Sequence, residues 1–296
     1  MSIRKNLQHV VGLALGAAAL ASGQTAIASA AHADVTSIYD APYVTSANNS
    51  TALKSVTAYC PSGLVVLGGG AEIGGGADNV YFRTLTPLRN VSTGRYGYQA
   101  IAVAHHGYTG IWQVSVHALC TAAPPGYELR ESISASGSNW FASTSTACST
   151  GKQILAAGGS TRTASGLDSH VTLLGLQPSP AATGSAHVWA QEDGAFSGTW
   201  DLVSTAVCAT QPPGYISRDV AGTTTSSTQE WANAGCPTGT RVYSAGGWSV
   251  VSAQGTSPAG LVEVEALPQG QLALFGAASH TPASLTGVNA RVICGH

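Results

Sequence analysis

Three pairs of cysteines divide this 296-residue chain into three copies of one unit. The first cysteine of each pair follows the previous one after 88 residues, at positions 60, 148 and 236. A period of this length indicates that a supersecondary unit has been multiplied, so the fold has to be derived one repeat at a time. The pairs are Cys60 with Cys120, Cys148 with Cys208, and Cys236 with Cys294.

Other residues recur with the same offset. A tyrosine lies 21 residues before each first cysteine, and a tryptophan lies eight residues before two of the second cysteines. The segment Pro-Pro-Gly-Tyr occurs at 124–127 and again at 212–215. We therefore expect β-repeats at 34–123, 124–211 and 212–296. The recurring aromatic residues are Tyr39, Tyr127, Tyr215, Trp112 and Trp200.

The first 33 residues have the features of a secretory signal peptide. Arg4 and Lys5 precede an apolar stretch from Val10 to Ala21, and Ala31-His32-Ala33 forms a small-x-small cleavage site. The apolar stretch is shorter than the roughly 20 residues that a membrane-spanning helix needs. We expect a secreted, extracellular protein that begins near Asp34.

Export changes the meaning of the six cysteines, because an even number at repeated spacings in an oxidising compartment indicates disulfide bonds. Two connectivities keep the threefold repetition: pairing within each repeat, or Cys120 with Cys148, Cys208 with Cys236 and Cys294 with Cys60. Pairing within repeats is preferred, since the other pattern requires a circular arrangement with adjacent ends. Each bridge within a repeat closes a loop of about 60 residues and contributes roughly 4 kcal/mol in the chain-entropy estimate.

The composition favours an all-β protein. Only 9% of the residues are charged, and chains with so few charges rarely form helices with one charged face. Without the predicted signal peptide the chain has ten basic and fourteen acidic side chains, a formal charge of −4. This balance argues against a nucleic-acid surface or a polybasic membrane surface. No cofactor is expected.

Glycine and polar turn residues separate short apolar segments within each repeat, as antiparallel strands require. We predict three tandem antiparallel β-sandwich-like repeats that pack together with pseudo-threefold repetition. A single closed β-prism-like assembly is the alternative. In repeat one the predicted strands are 37–45, 53–60, 64–73, 80–86, 96–105 and 111–119.

The last two of these strands are predicted to form a hairpin around residues 108 and 109. Its register places Ile101 and Val103 opposite Val116 and Val114, which gives the hairpin one apolar face. The opposite, polar face consists of Gln113, Ser115 and His117.

The remaining recurring residues are interpreted as structural. A glycine pair inside an apolar strand indicates a bulge or a close backbone approach, because a phosphate-binding loop needs a following helix and usually a lysine. The tyrosines are expected to pack at a sheet edge with local hydrogen bonds. Arg130 with Glu131, and Arg218 with Asp219, are predicted to form ion pairs between repeats. The glycine pairs are Gly69-Gly70, Gly158-Gly159 and Gly246-Gly247.

Two groups of residues contain catalytic residue types. Glu263 and Glu265 lie two apart on a predicted strand, on one face and about 7 Å apart, which could imitate a glycosidase pair. The corresponding stretches of the other repeats have no carboxylates, so solvated alternate glutamates are the favoured interpretation. Ser165, Asp168 and His170 lie in one loop, but no Gly-x-Ser-x-Gly elbow accompanies them. We expect no catalytic site.

Metal binding through histidine is not favoured. The predicted hairpin register separates His117 from the position opposite His106 by about 20 Å, so His105, His106 and His117 cannot share an ion within it. His170 and His187 would need an unpredictable tertiary approach. No Cys-x-x-Cys or Cys/His cluster is present. Isolated surface histidines and no metal site are therefore expected.

The motif Cys-Pro-Ser-Gly at 60–63, with Gly68–Gly70, Pro87 and Trp112–Cys120, resembles a repeat common in secreted proteins of actinobacteria. It recurs in repeat three as Cys-Pro-Thr-Gly at 236–239, whereas the middle copy has Ser149 in place of the proline. The resemblance implies a β-rich extracellular module and carries no catalytic residue. Export and disulfide-bonded β-repeats also resemble, more loosely, adaptor-like subunits of secreted umbrella-type toxin particles.

Two classes of function follow from these observations. The first is a secreted, non-catalytic binding or scaffold protein, such as an adaptor in an extracellular protein assembly, because the scaffold is repeated and no site is. The second is a carbohydrate-binding, lectin-like protein, because exposed aromatic side chains with polar neighbours suit sugars. The expected partners are extracellular proteins or a glycan, with no nucleic acid and no membrane span. Three equal sugar sites are disfavoured because Gln113, Asp201 and Gly287 differ between the copies.

Overall fold

A computed structural model describes residues 35, 37–76, 78–105, 107–163, 170–180, 184–192, 196–222, 227–251, 259–280 and 285–296. The predicted signal peptide lies outside the described residues. Within them the chain forms strands and turns and no helix, in agreement with the predicted all-β class. In the same ranges, no helix is long and apolar enough to cross a membrane.

The strands of repeat one lie close to their predicted positions, and the other two repeats continue the pattern. Repeat one contains β1 (Tyr39–Asp40), β2 (Val44–Thr45), β3 (Leu53–Tyr59), β4 (Val65–Gly75), β5 (Val80–Arg89), β6 (Tyr96–Ala104) and β7 (Trp112–Thr121). Repeat two contains β8 (Glu128–Ile133), β9 (Phe141–Ala147), β10 (Lys152–Thr163), β11 (Val171–Ser179), β12 (Ser185–Glu192) and β13 (Trp200–Thr210). Repeat three contains β14 (Ile216–Ala221), β15 (Gln229–Gly235), β16 (Arg241–Val251), β17 (Ala259–Leu267), β18 (Leu272–Ser279) and β19 (Leu285–Gly295).

These strands form three antiparallel sheets, and each sheet joins two repeats. Sheet A has the order β1-β7-β4-β17-β18-β15, with β2 also paired to β7, and joins repeats one and three. Sheet B, β3-β6-β5-β10-β13-β8, joins repeats one and two. Sheet C, β14-β19-β16-β11-β12-β9, joins repeats two and three. Every pair of repeats therefore shares one open sheet, and the arrangement agrees with the predicted three antiparallel sandwich-like repeats that pack together.

The predicted hairpin between β6 and β7 is wrong. Strand β6 pairs with β3 and β5 in sheet B, whereas β7 pairs with β4 and β1 in sheet A. The alternation of apolar and polar residues identified two strands with one buried face, but alternation does not specify the partner strand. The face predicted to be polar is largely covered, since Ser115 is 7% exposed and His117 is fully buried.

A continuous apolar core connects the three repeats. Its fully buried side chains come from all three repeats and include Trp112 of repeat one, Leu173 of repeat two, and Tyr243 and Phe275 of repeat three. Bulges occur at equivalent places in the first long strand after each first cysteine, between Val66 and Gly68 in β4 and between Ile154 and Ala156 in β10. The threefold repetition therefore extends to the irregularities of the strands.

The glycine pairs lie where strands of different repeats approach each other. A Cβ on Gly70 would come within 2.8 Å of the Glu265 Cα, and one on Gly158 within 2.3 Å of the Pro87 Cδ. In repeat three, a Cβ on Gly246 would meet the Leu176 carbonyl oxygen at 2.4 Å. Close backbone approach, one of the two predicted roles, is confirmed. Because glycine has no side chain, the strands can approach closely enough for the sheets to continue from one repeat into the next.

Candidate functional site

The recurring residues have structural roles. Disulfides join Cys60 to Cys120, Cys148 to Cys208 and Cys236 to Cys294, which confirms the preferred pairing within repeats. Bonds of this kind are consistent with an oxidising or extracellular environment. Trp112 and Trp200 are both buried, and the Trp200 indole N–H donates to Glu192 at 3.1 Å.

The tyrosines connect repeats rather than forming the predicted local hydrogen bonds. The Tyr127 hydroxyl donates to the Val66 carbonyl at 2.9 Å, and the Tyr215 hydroxyl donates to the Ile154 carbonyl at 2.7 Å. Each bond joins the start of one repeat to the bulged strand of the previous repeat. Tyr39, the equivalent residue of repeat one, is 46% exposed.

The predicted ion pairs between repeats are wrong. The Arg130 guanidinium donates to Ser149, and Asp219 pairs with Arg291, so both contacts lie within one repeat. The Arg218 guanidinium donates to the Gly235 carbonyl at 3.2 Å, also within repeat three. Strands β8 and β14 carry these residues to the edges of sheets B and C, where their neighbour is the last strand of their own repeat.

The copies differ in chemistry along one row of directly paired residues that crosses each sheet. Paired residues project from the same face, so each row forms a continuous strip of side chains. The rows are equivalent because Glu72, Ser160 and Trp248 occupy matching positions at the 88-residue offset. The row is Glu72, Glu263, Gly276 and Trp231 in sheet A; Ser160, Thr84, Ile101 and Ser55 in sheet B; and Trp248, Gly175, Trp189 and Ser143 in sheet C.

The row of sheet C is aromatic. Gly175 on β11 pairs with Trp248 of β16 on one side and with Trp189 of β12 on the other. A Cβ on Gly175 would lie 2.8 Å from the Trp189 ring and 2.9 Å from the Trp248 Cβ, so the two tryptophans share the space that glycine leaves. Together with Trp140 and Phe141 they line a groove of about 280 Å³. We call this the aromatic groove.

Polar groups lie beside the aromatic groove on the same face. The His187 ring stacks against Trp189 with a centroid distance of 6.1 Å, and His187 pairs with Gln177 across the strands. Burial, together with the positive charge of Arg291, lowers the pKa of His187. The ring is therefore neutral at pH 7. Its Nε2 atom is hydrogen-bonded to the Ser185 hydroxyl at 2.9 Å, which leaves Nδ1 for a ligand.

Sheet A has a buried ionic cluster where repeat one meets repeat three. The His117 ring is fully buried, with Nδ1 2.7 Å from the Asp40 carboxylate and Nε2 3.1 Å from Oε2 of Glu265. The Tyr43 ring stacks on the His117 ring at 4.7 Å, and the Tyr43 hydroxyl donates to Oε2 of Glu265 at 2.8 Å. We call these four residues the His117 clasp.

The charge of the clasp follows from its geometry. Burial alone disfavours a charged imidazole, but the hydrogen bond to Asp40 and the contact with Glu265 outweigh it and raise the pKa of His117 to about 9. His117 is therefore a cation between two carboxylates at neutral pH. The expectation of a surface histidine is wrong for His117, and for His105, which is 3% exposed.

Equivalent residues make simpler contacts in the other two sheets. Thr205 and Arg291 occupy the position of His117, three residues before the second cysteine of their repeats. The Thr86 hydroxyl donates to the Thr205 hydroxyl at 3.0 Å, and Arg291 donates to the Pro178 carbonyl at 3.0 Å. All three positions therefore connect neighbouring repeats. This comparison identifies the His117 clasp as a structural contact.

The prediction that Glu263 and Glu265 are two solvated glutamates is wrong. Glu265 is 3% exposed and belongs to the clasp, whereas Glu263 is half-buried and accepts a hydrogen bond from the Trp231 indole at 3.0 Å. Glu263 instead pairs directly with Glu72 of β4. Partial burial raises the pKa of both Glu72 and Glu263, and the nearby Glu265 charge raises each further, while the Trp231 hydrogen bond acts in the opposite direction on Glu263.

The other candidates do not form a site in the described part of the chain. Ser165 and Asp168 of the considered triad, and His106, lie outside the described residues. His170 packs beside His105 and Phe196, with ring centroid distances of 5.8 and 6.2 Å. Among the described residues, no group of three or more His, Cys, Asp or Glu side chains could hold a metal ion.

The sequence predictions missed the aromatic groove. Trp189 and Trp248 belong to different repeats, and they become neighbours because β11 lies between their strands. One signal was present in the sequence: the residue two places after the equivalent glycines Gly70, Gly158 and Gly246 is Glu, Ser or Trp, respectively. Such variation next to a repeated structural glycine marks a place where the scaffold accepts different chemistry.

Comparison with known proteins adds no family assignment. No protein-family model matches the chain. No curated protein matches it significantly.

Proposed function

We propose that this protein is a secreted, non-catalytic binding protein that binds carbohydrate in the aromatic groove of sheet C. The observation that carries the proposal is the row in which Gly175 separates Trp189 from Trp248. Two indoles beside a residue without a side chain provide apolar surface that the C–H face of a sugar ring can cover.

The dimensions and lining of the groove support this ligand class. Trp189 and Trp248 lie on strands two apart in the sheet, so their backbones are about 10 Å apart. An oligosaccharide lying across the strands can therefore contact both rings. Ligand sites typically combine an apolar lining with a few polar groups that fix orientation, and neutral His187 with Gln177 can provide these groups.

Export is supported by the predicted signal peptide together with the three disulfides. A non-catalytic role is supported by the structural use of the residues that recur. His117 and Glu265, which have the residue types of an acid–base pair, are buried and connect two repeats.

The test is a glycan array with the full disulfide-bonded chain, followed by titration of the best neutral oligosaccharide. We expect Trp189→Ala and Trp248→Ala each to weaken binding about three- to tenfold, the range of one aromatic contact. Trp231→Ala is the matched control, because it removes a half-exposed tryptophan from sheet A. Absence of array binding, or equal losses in all three variants, would contradict the proposal.

An adaptor role in an extracellular protein assembly is a second candidate. It is favoured by the sheet sharing, because three faces of different chemistry then belong to one connected unit. Purification of the native protein from culture fluid, followed by size measurement and partner identification, tests this role. Co-purification of a protein partner at fixed stoichiometry is expected, and a monomer without partners would contradict the adaptor role.

A further inference from the structure

In sheet A, the row equivalent to the aromatic groove contains two carboxylates and a tryptophan. Glu72 and Glu263 are direct cross-strand partners, so two carboxylates project side by side from one face. Like charges opposite each other destabilise a sheet. In the described part of the chain, the Glu72 carboxylate has no ion-pair partner and no hydrogen bond. The Glu263 carboxylate accepts a hydrogen bond from the Trp231 indole.

A third carboxylate in the same group is incompletely paired. Glu265 lies two residues from Glu263 on the same face of β17 and is 3% exposed. Its Oε2 atom receives the Tyr43 hydrogen bond and lies next to His117, whereas its buried Oε1 atom has no hydrogen-bond partner. A buried oxygen in this state is costly, and Glu265 adds its negative charge to those of Glu72 and Glu263 on the same face.

The fold does not require these carboxylates. In sheet B the positions of Glu72 and Glu263 are occupied by Ser160 and Thr84, whose hydroxyls hydrogen-bond to each other at 2.7 Å. The scaffold is therefore satisfied by a neutral pair at this place. The acidic pair in sheet A adds a repulsion that the neutral pair of sheet B avoids, which points to a cationic ligand.

An aromatic surface lies beside the carboxylates. Trp231 is 48% exposed and occupies the space left by Gly276, where a Cβ would come within 2.5 Å of the indole nitrogen. Glu72, Glu263, Trp231 and Gln229 are among the residues that line a cleft of about 250 Å³. We call this the acidic cleft. It is smaller than the pockets that enclose drug-sized molecules, so it suits one compact group.

We propose that the acidic cleft binds the ammonium group of an amino sugar in an unacetylated 2-amino-2-deoxyhexose oligosaccharide. The ammonium lies between Glu72 and Glu263, and the sugar ring covers the Trp231 indole. The Gln229 amide N–H donates to Asp78 at 3.1 Å, so its side-chain oxygen is the group that accepts a hydrogen bond from a sugar hydroxyl. Charge-assisted hydrogen bonds and a cation–π contact then act on the same compact group. The site does not depend on the aromatic groove, since it lies on a different sheet.

The test compares three ligands by titration calorimetry with the full chain: a glucosamine tetramer, an N-acetylglucosamine tetramer and a lysine tetrapeptide. We expect the glucosamine tetramer to bind about tenfold or more tighter than the acetylated one, because acetylation removes the charge. Raising the salt concentration is expected to weaken binding of the glucosamine tetramer. Equal binding of the two sugars would overturn the ammonium assignment, and preference for the peptide would overturn the amino-sugar assignment.

Substitutions locate the site. Glu72→Gln with Glu263→Gln keeps the side-chain shapes, relieves the repulsion, and is expected to abolish the preference for the glucosamine tetramer. Trp231→Ala is expected to weaken binding of that tetramer. Unchanged binding by the double variant would overturn the proposal. Neutral-glycan binding by the same double variant reports on the aromatic groove separately, so the two proposals can fail independently.

Discussion

Replacement of His117 by threonine tests the interpretation of the clasp as a structural contact. The substitution removes the cation that lies 2.7 Å from Asp40 and 3.1 Å from Glu265. The Asp40 side chain is 30% exposed and can be hydrated. The Glu265 side chain is 4% exposed and cannot be hydrated. The single variant therefore leaves a buried carboxylate without its counter-charge.

Two estimates of the cost agree. Removal of one partner from a buried ion pair typically costs about 3–5 kcal/mol of unfolding free energy. A rise of the His117 pKa from 6.5 to about 9 corresponds to about 3 kcal/mol of preference for the charged ring in the folded state. We expect His117→Thr to lower the free energy of unfolding by about 3 kcal/mol at pH 6.

The equivalent pair in sheet B indicates a second substitution that should compensate for the loss of His117. Thr205 and Thr86 occupy the positions of His117 and Glu265 in sheet B and form a hydrogen bond at 3.0 Å. The double variant His117→Thr with Glu265→Thr should reproduce this neutral pair. We expect it to recover at least half of the stability that the single variant loses, because no charge is left buried.

The pH dependence has a defined sign. The folded-state pKa of His117 lies above the unfolded value, so its stabilisation is fully present below about pH 6.5 and is lost as the pH rises through about 9. Denaturant unfolding of the disulfide-bonded chain at pH 6 and at pH 9.5 measures this difference. We expect the unsubstituted chain to lose stability between the two values and the double variant to lose much less. A single variant as stable as the unsubstituted chain, or a double variant less stable than the single one, would refute the reasoning.

Three further substitutions test other parts of the scaffold by the same unfolding measurement. Replacing Cys60 and Cys120 together by alanine should cost about 4 kcal/mol, since the bridged residues are 60 apart in sequence, and a loss below 1 kcal/mol would contradict the estimate. Tyr127→Phe removes a hydrogen bond between repeats and should cost about 1 kcal/mol, whereas exposed Tyr39→Phe should cost nothing measurable. Gly158→Ala should cost about 1–3 kcal/mol, because its Cβ would clash with Pro87, and a neutral effect would show that the strands can separate.

The repeated part of the fold was predictable from the sequence. The cysteine spacing led to the three disulfides, and alternating apolar residues located β3 to β7 within a few residues. Strand pairing was not predictable, because alternation reports which face is buried and not which strand is adjacent. The neighbours Glu72 and Glu263 are separated by more than two repeat lengths in the sequence, and no local pattern records their contact.

The chemistry of the faces was predicted less well for the same reason. The alternating pattern around Glu265 predicts a solvated side chain. In the structure, Tyr43 and His117 of another repeat contact Glu265 and bury it. Trp189 and Trp248 each look like an isolated aromatic residue in the sequence. Their shared groove requires the β11 strand between them and a glycine at position 175.

The central claim is that the repeated residues build the scaffold and that ligand binding depends on the rows where the copies differ. The most direct measurement uses the triple variant Trp248→Ser, Gly175→Thr and Trp189→Ile, which gives sheet C the Ser160, Thr84 and Ile101 row of sheet B. We predict that this variant folds with its three disulfides intact and loses binding of the neutral oligosaccharide identified on the array. Retention of that binding by the folded triple variant would contradict the account.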